Sequence, residues 1–336
     1  MMITLLSSFL LGAPATPPPV TPPTGTPVAL ARHFALGEKL AYTVTASIRA
    51  QERHGLMDTF MPDNVDFSYS FTTEVRKLKT DGIVDLMYSR PTFTEEQDED
   101  TDSGPVKKVD PVNMKALLTV SPINQILEAK DLTPKSKKSG DDRLAGREKV
   151  DSRQLDQFGD FINELHRLAL FIGSFDSGMD FNPKLPLDKV SVGDTWKQTV
   201  SYQPQKIKGD KEGKQEVERL DYVYTYKGLM TSEGKQVQRV QASLEFSTDL
   251  GAFLNQLMEA KPEDSHIKKI PMNFKGTIDF DLDPKTLRTL RADAHSEGGF
   301  QIWITDLSDR PVEEQTFKGT TTETLVGVAK VLVPKS

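Results

Sequence analysis

The chain of 336 residues contains no cysteine. That excludes disulfides, thiolate metal sites and a lipid anchor built on an N-terminal cysteine, and leaves the core alone to hold the fold. Histidine is scarce: His33, His54, His166, His266 and His295 stand far apart, without His-x-His or His-Glu-x-x-His spacing, so no metal site is legible. Gly-x-Ser-x-Gly is absent, and Gly173-Ser174-Phe175-Asp176-Ser177-Gly178 has the wrong spacing for a nucleophile elbow. No phosphate loop or dinucleotide fingerprint occurs. Neither cofactor nor metal is expected. Net charge is −7 and the basic residues are scattered, which speaks against a nucleic-acid partner. No segment reaches transmembrane length; Leu325–Val333 is too short, contains Lys330, and reads as a last strand.

What is present begins with an address. Residues 1–15 combine a short apolar run of about nine residues with Ala13-Pro14-Ala15, the small-residue pattern of signal-peptidase cleavage. Cleavage after Ala15 is expected, with Ala13 as the alternative, although no Lys or Arg precedes the run. Pro17, Pro18, Pro19, Pro22, Pro23 and Pro27 follow. Such a stretch neither pairs in a sheet nor continues a helix, so residues 16–31 read as an extended spacer. The protein is therefore expected outside the cytoplasm, in the periplasm or beyond the cell.

After the spacer the apolar period is two. Leu40, Tyr42, Val44, Ala46 and Ile48 alternate with polar or small residues, as do Phe67, Tyr69 and Phe71, then Val84, Leu86 and Tyr88 beyond an Asp81-Gly82 turn. A hairpin is predicted around Ser121-Pro122-Ile123-Asn124. The pattern returns in Leu220–Tyr226, Val240–Phe246, Phe274–Leu282, Leu287–Ala294 and Phe300–Ile304, with a short helical stretch at Leu250–Glu259. Between these regions, Leu155, Phe158, Phe161, Ile162, Leu165, Leu168, Ala169 and Ile172 fall within a band of roughly 140° at helical spacing, which predicts an amphipathic helix.

The two halves share a frame. Leu36-Gly37-Glu38-Lys39-Leu40-Ala41-Tyr42-Thr43-Val44 lines up with Val192-Gly193-Asp194-Thr195-Trp196-Lys197-Gln198-Thr199-Val200. Each is followed by an aromatic strand and an acid-Gly turn (Asp81-Gly82, Glu233-Gly234), and later by a strand–turn–strand carrying Pro122 or Pro284. An internal duplication is expected. With Leu185-Pro186-Leu187 ahead of the second frame, the chain resembles an uncharacterised family of exported bacterial proteins with a signal peptide and two similar β-rich halves. That resemblance implies a location and a shape rather than an activity. The expected shape also resembles periplasmic lipoprotein and lipid carriers, in architecture alone.

The expected fold is α+β: two related, curved antiparallel sheets, half-barrel-like, around a central amphipathic helix. Residues 32–150 form the first half, 151–178 the helix region and 179–333 the second half. The remaining chemistry is sparse. Ser232-Glu233-Gly234-Lys235 and Ser265-His266-Ile267-Lys268 fit Ser-x-x-Lys without companion motifs. Glu95–Asp102 matches three calcium-loop positions, but lacks the glycine and final glutamate in place, and reads as a solvated loop. Asp279, Asp281 and Asp283 read as the wet face of a strand. No catalytic residue is named. The candidate residues for an apolar ligand are Phe67, Tyr69, Phe71, Tyr222, Tyr224 and Tyr226, with plain core packing the preferred reading. The function expected is binding or assembly in the envelope, with a lipid or other envelope component as partner. The alternative is a hydrolase of an envelope polymer using paired carboxylates.

Overall fold

In the computed structural model, residues 26–55, 57–97, 106–110, 114–132, 182–202, 218–257, 267–304 and 310–330 are described. The alternation in the sequence carries straight into strands. In β1 (Glu38–His54), Leu40, Tyr42, Val44, Ala46, Ile48 and Ala50 are buried while Lys39, Thr45 and Arg49 are exposed. Side chains of a strand point alternately to its two faces, so period-two apolar patterning leaves one face dry and one wet. β2 (Met61–Leu78), β3 (Val84–Arg90), β6 (Met114–Val120) and β7 (Ile126–Asp131) extend the sheet from β1 as an antiparallel meander. β4 (Phe93–Gln97) pairs with β2 and with β5 (Val106–Asp110), so Glu95 and Glu96 lie in a strand and not in the solvated loop expected there.

The second half repeats the meander with β8 (Thr195–Tyr202), β9 (Glu218–Ser232), β10 (Lys235–Asp249), β12 (Pro271–Leu282) and β13 (Thr289–Ile304). One α-helix lies among the described residues, α1 (Gly251–Leu257), where the short helical stretch is predicted; β11 (Ile267–Lys269) pairs with β13. The predicted Leu287–Ala294 and Phe300–Ile304 segments are one strand, β13.

The expectation of two sheets around a helix is overturned. β14 (Glu313–Lys330) pairs with β13 on one side and, along the whole of β1, on the other. The fourteen strands therefore form one antiparallel sheet, whose main path runs β7-β6-β3-β2-β1-β14-β13-β12-β10-β9-β8. The fold is almost entirely β. The predicted helix Leu155–Ile172 lies outside the described residues, and the architecture rests on the β1–β14 seam. Sequence patterning missed that seam because the dry face of β14 carries Gln315, Phe317, Gly319, Thr321 and Glu323, a series without apolar alternation.

A flat path of eleven strands would hold its edges roughly 48 Å apart, at about 4.8 Å per step. Here a single residue links them. The Lys184 ammonium donates to the Asn124 carbonyl in the β6–β7 turn at 2.5 Å, while the Lys184 carbonyl accepts from the Trp196 indole on β8 at 2.7 Å. Arg32 and His33 make the same kind of link: the Arg32 N–H donates to Pro122 and the His33 N–H to Thr286, in turns six strands apart. The sheet is thus curled about its dry face, and segments 28–37 and 182–194 close one end, joined by the Val28–Val190 bridge.

Candidate functional site

The dry face is the first candidate. Tyr42, Phe71 and Tyr88 stack across β1, β2 and β3 with ring centroids 4.9 and 5.2 Å apart. Tyr69 lies 6.2 Å from Phe71 and carries the Arg90 guanidinium over its ring at 5.0 Å. Phe67 is half-buried at the edge of this group. On β9, Tyr222, Tyr224 and Tyr226 are buried side by side; Tyr224 stacks on Trp196 at 5.6 Å, and the Tyr226 hydroxyl donates to Gln238 at 2.5 Å. Burial pushes the Tyr226 phenol above its ordinary pKa. All six predicted residues therefore share the dry face, but β1, β14, β13, β12 and β10 separate the two triplets along the sheet.

Sequence reasoning missed a third aromatic row. Phe246 stacks on Phe274 at 5.4 Å, and Phe274 meets Phe317 at 6.3 Å across the intervening strand β13. The register explains how: Phe274 and Phe317 both pair with Gly298. A Cβ there would come within 2.9 Å of the Phe317 ring and 2.4 Å of the Asn273 carbonyl. The signal was available, since a glycine pair inside a strand marks close approach.

The closed end is polar inside. Arg32 and Glu38, both almost fully buried, form an ion pair at 2.8 Å, with Arg288 at 3.7 Å from Glu38 and Asp283. The Asn124 amide donates to the Pro183 carbonyl and Thr289 to Asn182. These groups fasten segments 28–37 and 182–194 to the sheet, with the buried Arg32–Glu38 charges paired, while the Arg288 Nε is buried without a hydrogen-bond partner.

The opposite end forms a mouth where β1 ends and β14 begins. His54 pairs in register with Glu313, and its ring nitrogen lies 2.9 Å from Glu52. The hydrogen bond to Glu52, reinforced by the charges of Glu313 and Asp63, raises the His54 pKa against a smaller opposing effect of burial. Burial pushes the Glu313 carboxyl up, His54 pulls it down and Glu52 pushes it up again, with a net rise.

The wet face carries a groove of about 750 Å³ over β10, β12, β13, β14 and β1. Glu245, Lys275, Glu297 and Lys318 cross it in register, ending at Arg49. The alternating signs neutralise one another. Beyond it, Asp281 is buried against Arg239 in a two-pronged pair at 2.7 and 2.9 Å, so the wet-face reading fails for that residue. Asp279 accepts from Gln241, and Asp283 caps the β12–β13 turn. Ser232 to Lys235 form the β9–β10 turn. Among the described residues no group of three or more His, Asp or Glu side chains is arranged to hold a metal ion.

The chain matches no family profile and no curated protein sequence. Among solved structures it is similar to lipovitellin, from a structure of lipid–protein interactions, with 10% identity and a TM-score of 0.40, covering 90% of this chain and 26% of that one. It is also similar to DynF of the dynemicin biosynthesis pathway of Micromonospora chersina, at 7% identity and TM-score 0.21, covering 93% and 92%. A DUF1329 family protein from Desulfovibrio piger follows, at 8% identity and TM-score 0.18, covering 88% and 87%. The chain thus spans about a quarter of the lipovitellin it resembles. With every score below 0.5, these likenesses carry no argument about ligand or activity. No match shows the expected membership of an exported β-rich family.

Proposed function

We propose that this protein acts outside the cytoplasm by binding or assembly rather than catalysis, and that the interior of its curled sheet holds an apolar molecule. The observation that carries this reading is the link through Lys184, which draws the two edges of an eleven-strand path together around an apolar, aromatic-rich face. About eight strands already enclose a lumen that side chains can fill. Eleven strands enclose a wider one, and the face that lines it is aliphatic and aromatic, which suits an apolar occupant. A lipid or a comparable envelope component has the required chemistry. The leader and proline spacer support export, and the shared frames support descent from a duplicated half.

The test is extraction of the purified, exported protein with organic solvent, followed by mass spectrometry, alongside uptake of an apolar fluorophore by the delipidated protein. A retained apolar species at fixed stoichiometry is expected. Neither lipid nor fluorophore uptake would mean that the chain's own residues fill the interior, and the reading would fall.

A second reading, hydrolysis of an envelope polymer, has one observation in its favour. Glu313, with its raised pKa, and Glu52 flank His54 at the mouth, an acid and a base of the kind paired-carboxylate chemistry requires. Glu313→Gln and Glu52→Gln should each abolish any glycan hydrolysis the purified protein shows. Activity that survives both substitutions removes this reading.

A further inference from the structure

We infer that the closed end of the curled sheet is a docking surface for an anionic lipid bilayer. On β14 the wet face runs Thr316, Lys318, Thr320, Thr322, Thr324, all polar; the register then shifts opposite Ala41 and Tyr42, and Val326, at the shift, and Val328, opposite Leu40, occupy the last stretch before the closed end. Both valines are exposed, Val326 by 59%. Exposed apolar side chains gather at the same end of other strands. β2 finishes at exposed Leu78, and β9 passes Gly228 into exposed Leu229 and Met230. The closing segments add Leu36 and Val192, as well as Leu187 with 88% of its surface exposed. At the mouth, by contrast, the described residues of the β1–β2 connection show Met57 and Phe60 among the exposed large apolar residues. Among the described residues the exposed large apolar side chains concentrate along this rim, which marks it as an interaction surface.

Charge selects the partner. Lys39, Lys77, Lys189, Lys227 and Lys285 are exposed beside these apolar side chains. They are opposed by Asp81, Asp188 and Glu233, and Glu233 is taken by Arg291. Among the described residues the mouth carries Glu52, Asp58, Asp63, Glu313 and Glu314 against Arg53, His54 and Arg310, with Arg53 paired to Glu314 and Arg310 to Asp58, and the chain as a whole is net −7. A local basic excess on an acidic protein, interleaved with Leu and Val, has the composition of surfaces that insert shallowly into an anionic leaflet. The protein would stand on its closed end with the mouth directed away from the bilayer. This inference is independent of what the interior holds.

Because the chain has no cysteine, single probes can be placed cleanly. Leu187→Cys and Met57→Cys, each labelled with an environment-sensitive fluorophore, are titrated with vesicles of equimolar phosphatidylglycerol and phosphatidylcholine, or of phosphatidylcholine alone. Binding on the order of tenfold tighter to the anionic vesicles is expected, weakening with salt. The Leu187 probe enters an apolar environment and the Met57 probe stays in water. The variant Leu187→Ser/Val326→Ser/Val328→Ser loses vesicle binding, yet keeps its thermal transition and any apolar molecule extracted from the interior. Absence of vesicle binding would overturn the inference. So would entry of the Met57 probe instead, or a concentration-dependent dimer that buries the same residues without vesicles.

Discussion

Gly37 and Gly193 occupy the same backbone setting in the two halves of the molecule. Both have positive φ, 73° and 94°. Each N–H donates to a carbonyl of the second strand of its own half, Val75 at 2.9 Å and Tyr226 at 2.8 Å. In each case the next residue's N–H donates to the carbonyl three residues back, Glu38 to Ala35 and Asp194 to Ser191. The left-handed conformation turns the closing segment into the first strand, and a side chain there clashes with its own backbone.

Gly193→Ala should therefore cost about 1 kcal/mol, since a Cβ at Gly193 meets nothing within 4 Å and only backbone strain is added. Gly193→Asn should cost less, because asparagine tolerates this region. Gly298→Ala should cost more, on the order of 3 kcal/mol, because its Cβ is driven into the Asn273 carbonyl and the Phe317 ring. Urea midpoints of the three variants check the order.

Replacing Lys184 with methionine keeps the packing of the chain but removes the donor to Asn124. The buried Asn124 carbonyl loses that bond, at a cost of about 1–3 kcal/mol. The more specific expectation is spatial. Hydrogen exchange should accelerate at the start of β7 and in β8, the two edges that Lys184 joins, and should remain unchanged in β1 and β14.

Arg32→Met leaves Glu38 buried without its nearest cation and should destabilise the fold by about 3–5 kcal/mol. Arg32→Met combined with Glu38→Leu should recover much of that loss, since neither charge is then buried alone. A double-mutant cycle in urea measures the coupling, and additivity of the two single losses would refute it.

The pH dependence has two limbs. Lys79 and Thr119 hold Asp85 below its ordinary value by hydrogen bonding, against burial. Burial pushes Asp283 and Asp293 up, but bonds from Thr286 and Lys285 to the first, and from Arg291 and Thr322 to the second, outweigh it and leave both lowered. Lowered carboxyls stabilise the fold fully above the unfolded value of 3.8, and this is lost as pH falls through their folded values. Glu313 and His54 are raised, so the stability they contribute is present below the unfolded values of 4.5 and 6.5 and is lost as pH rises through their folded ones. Unfolding free energy should thus drop in acid and decline again on the alkaline side, above 4.5 for the Glu313 contribution and above 6.5 for that of His54. Asp293→Asn should flatten the acid limb, and Glu313→Gln the upper one.

Local patterning made most strands legible. Leu40 to Ile48, Tyr69 to Phe71, Val84 to Tyr88 and Phe274 to Leu282 alternate cleanly, and the Asp81-Gly82 and Glu233-Gly234 turns have the paired positive φ angles of tight hairpins. Period two reports which face a side chain occupies and says nothing about which strand lies alongside. The seam between Tyr42 and Leu325, or between Val44 and Glu323, joins residues at opposite ends of the chain, and a strand with Gln315, Thr321 and Glu323 turned inwards carries no apolar signature. The aromatic candidates were found because they are aromatic and alternate. The Lys184 and Arg32 links were not, because isolated polar residues in irregular segments have no period to betray them.

β14 is the last of the described strands in chain order and the one that fills the middle of the sheet. Until it arrives, β1 and β13 each present a raw edge, and neither half can close. The closed sheet thus waits on a pairing between strands far apart in the sequence, a slow step that leaves two edges open to other chains until it is made.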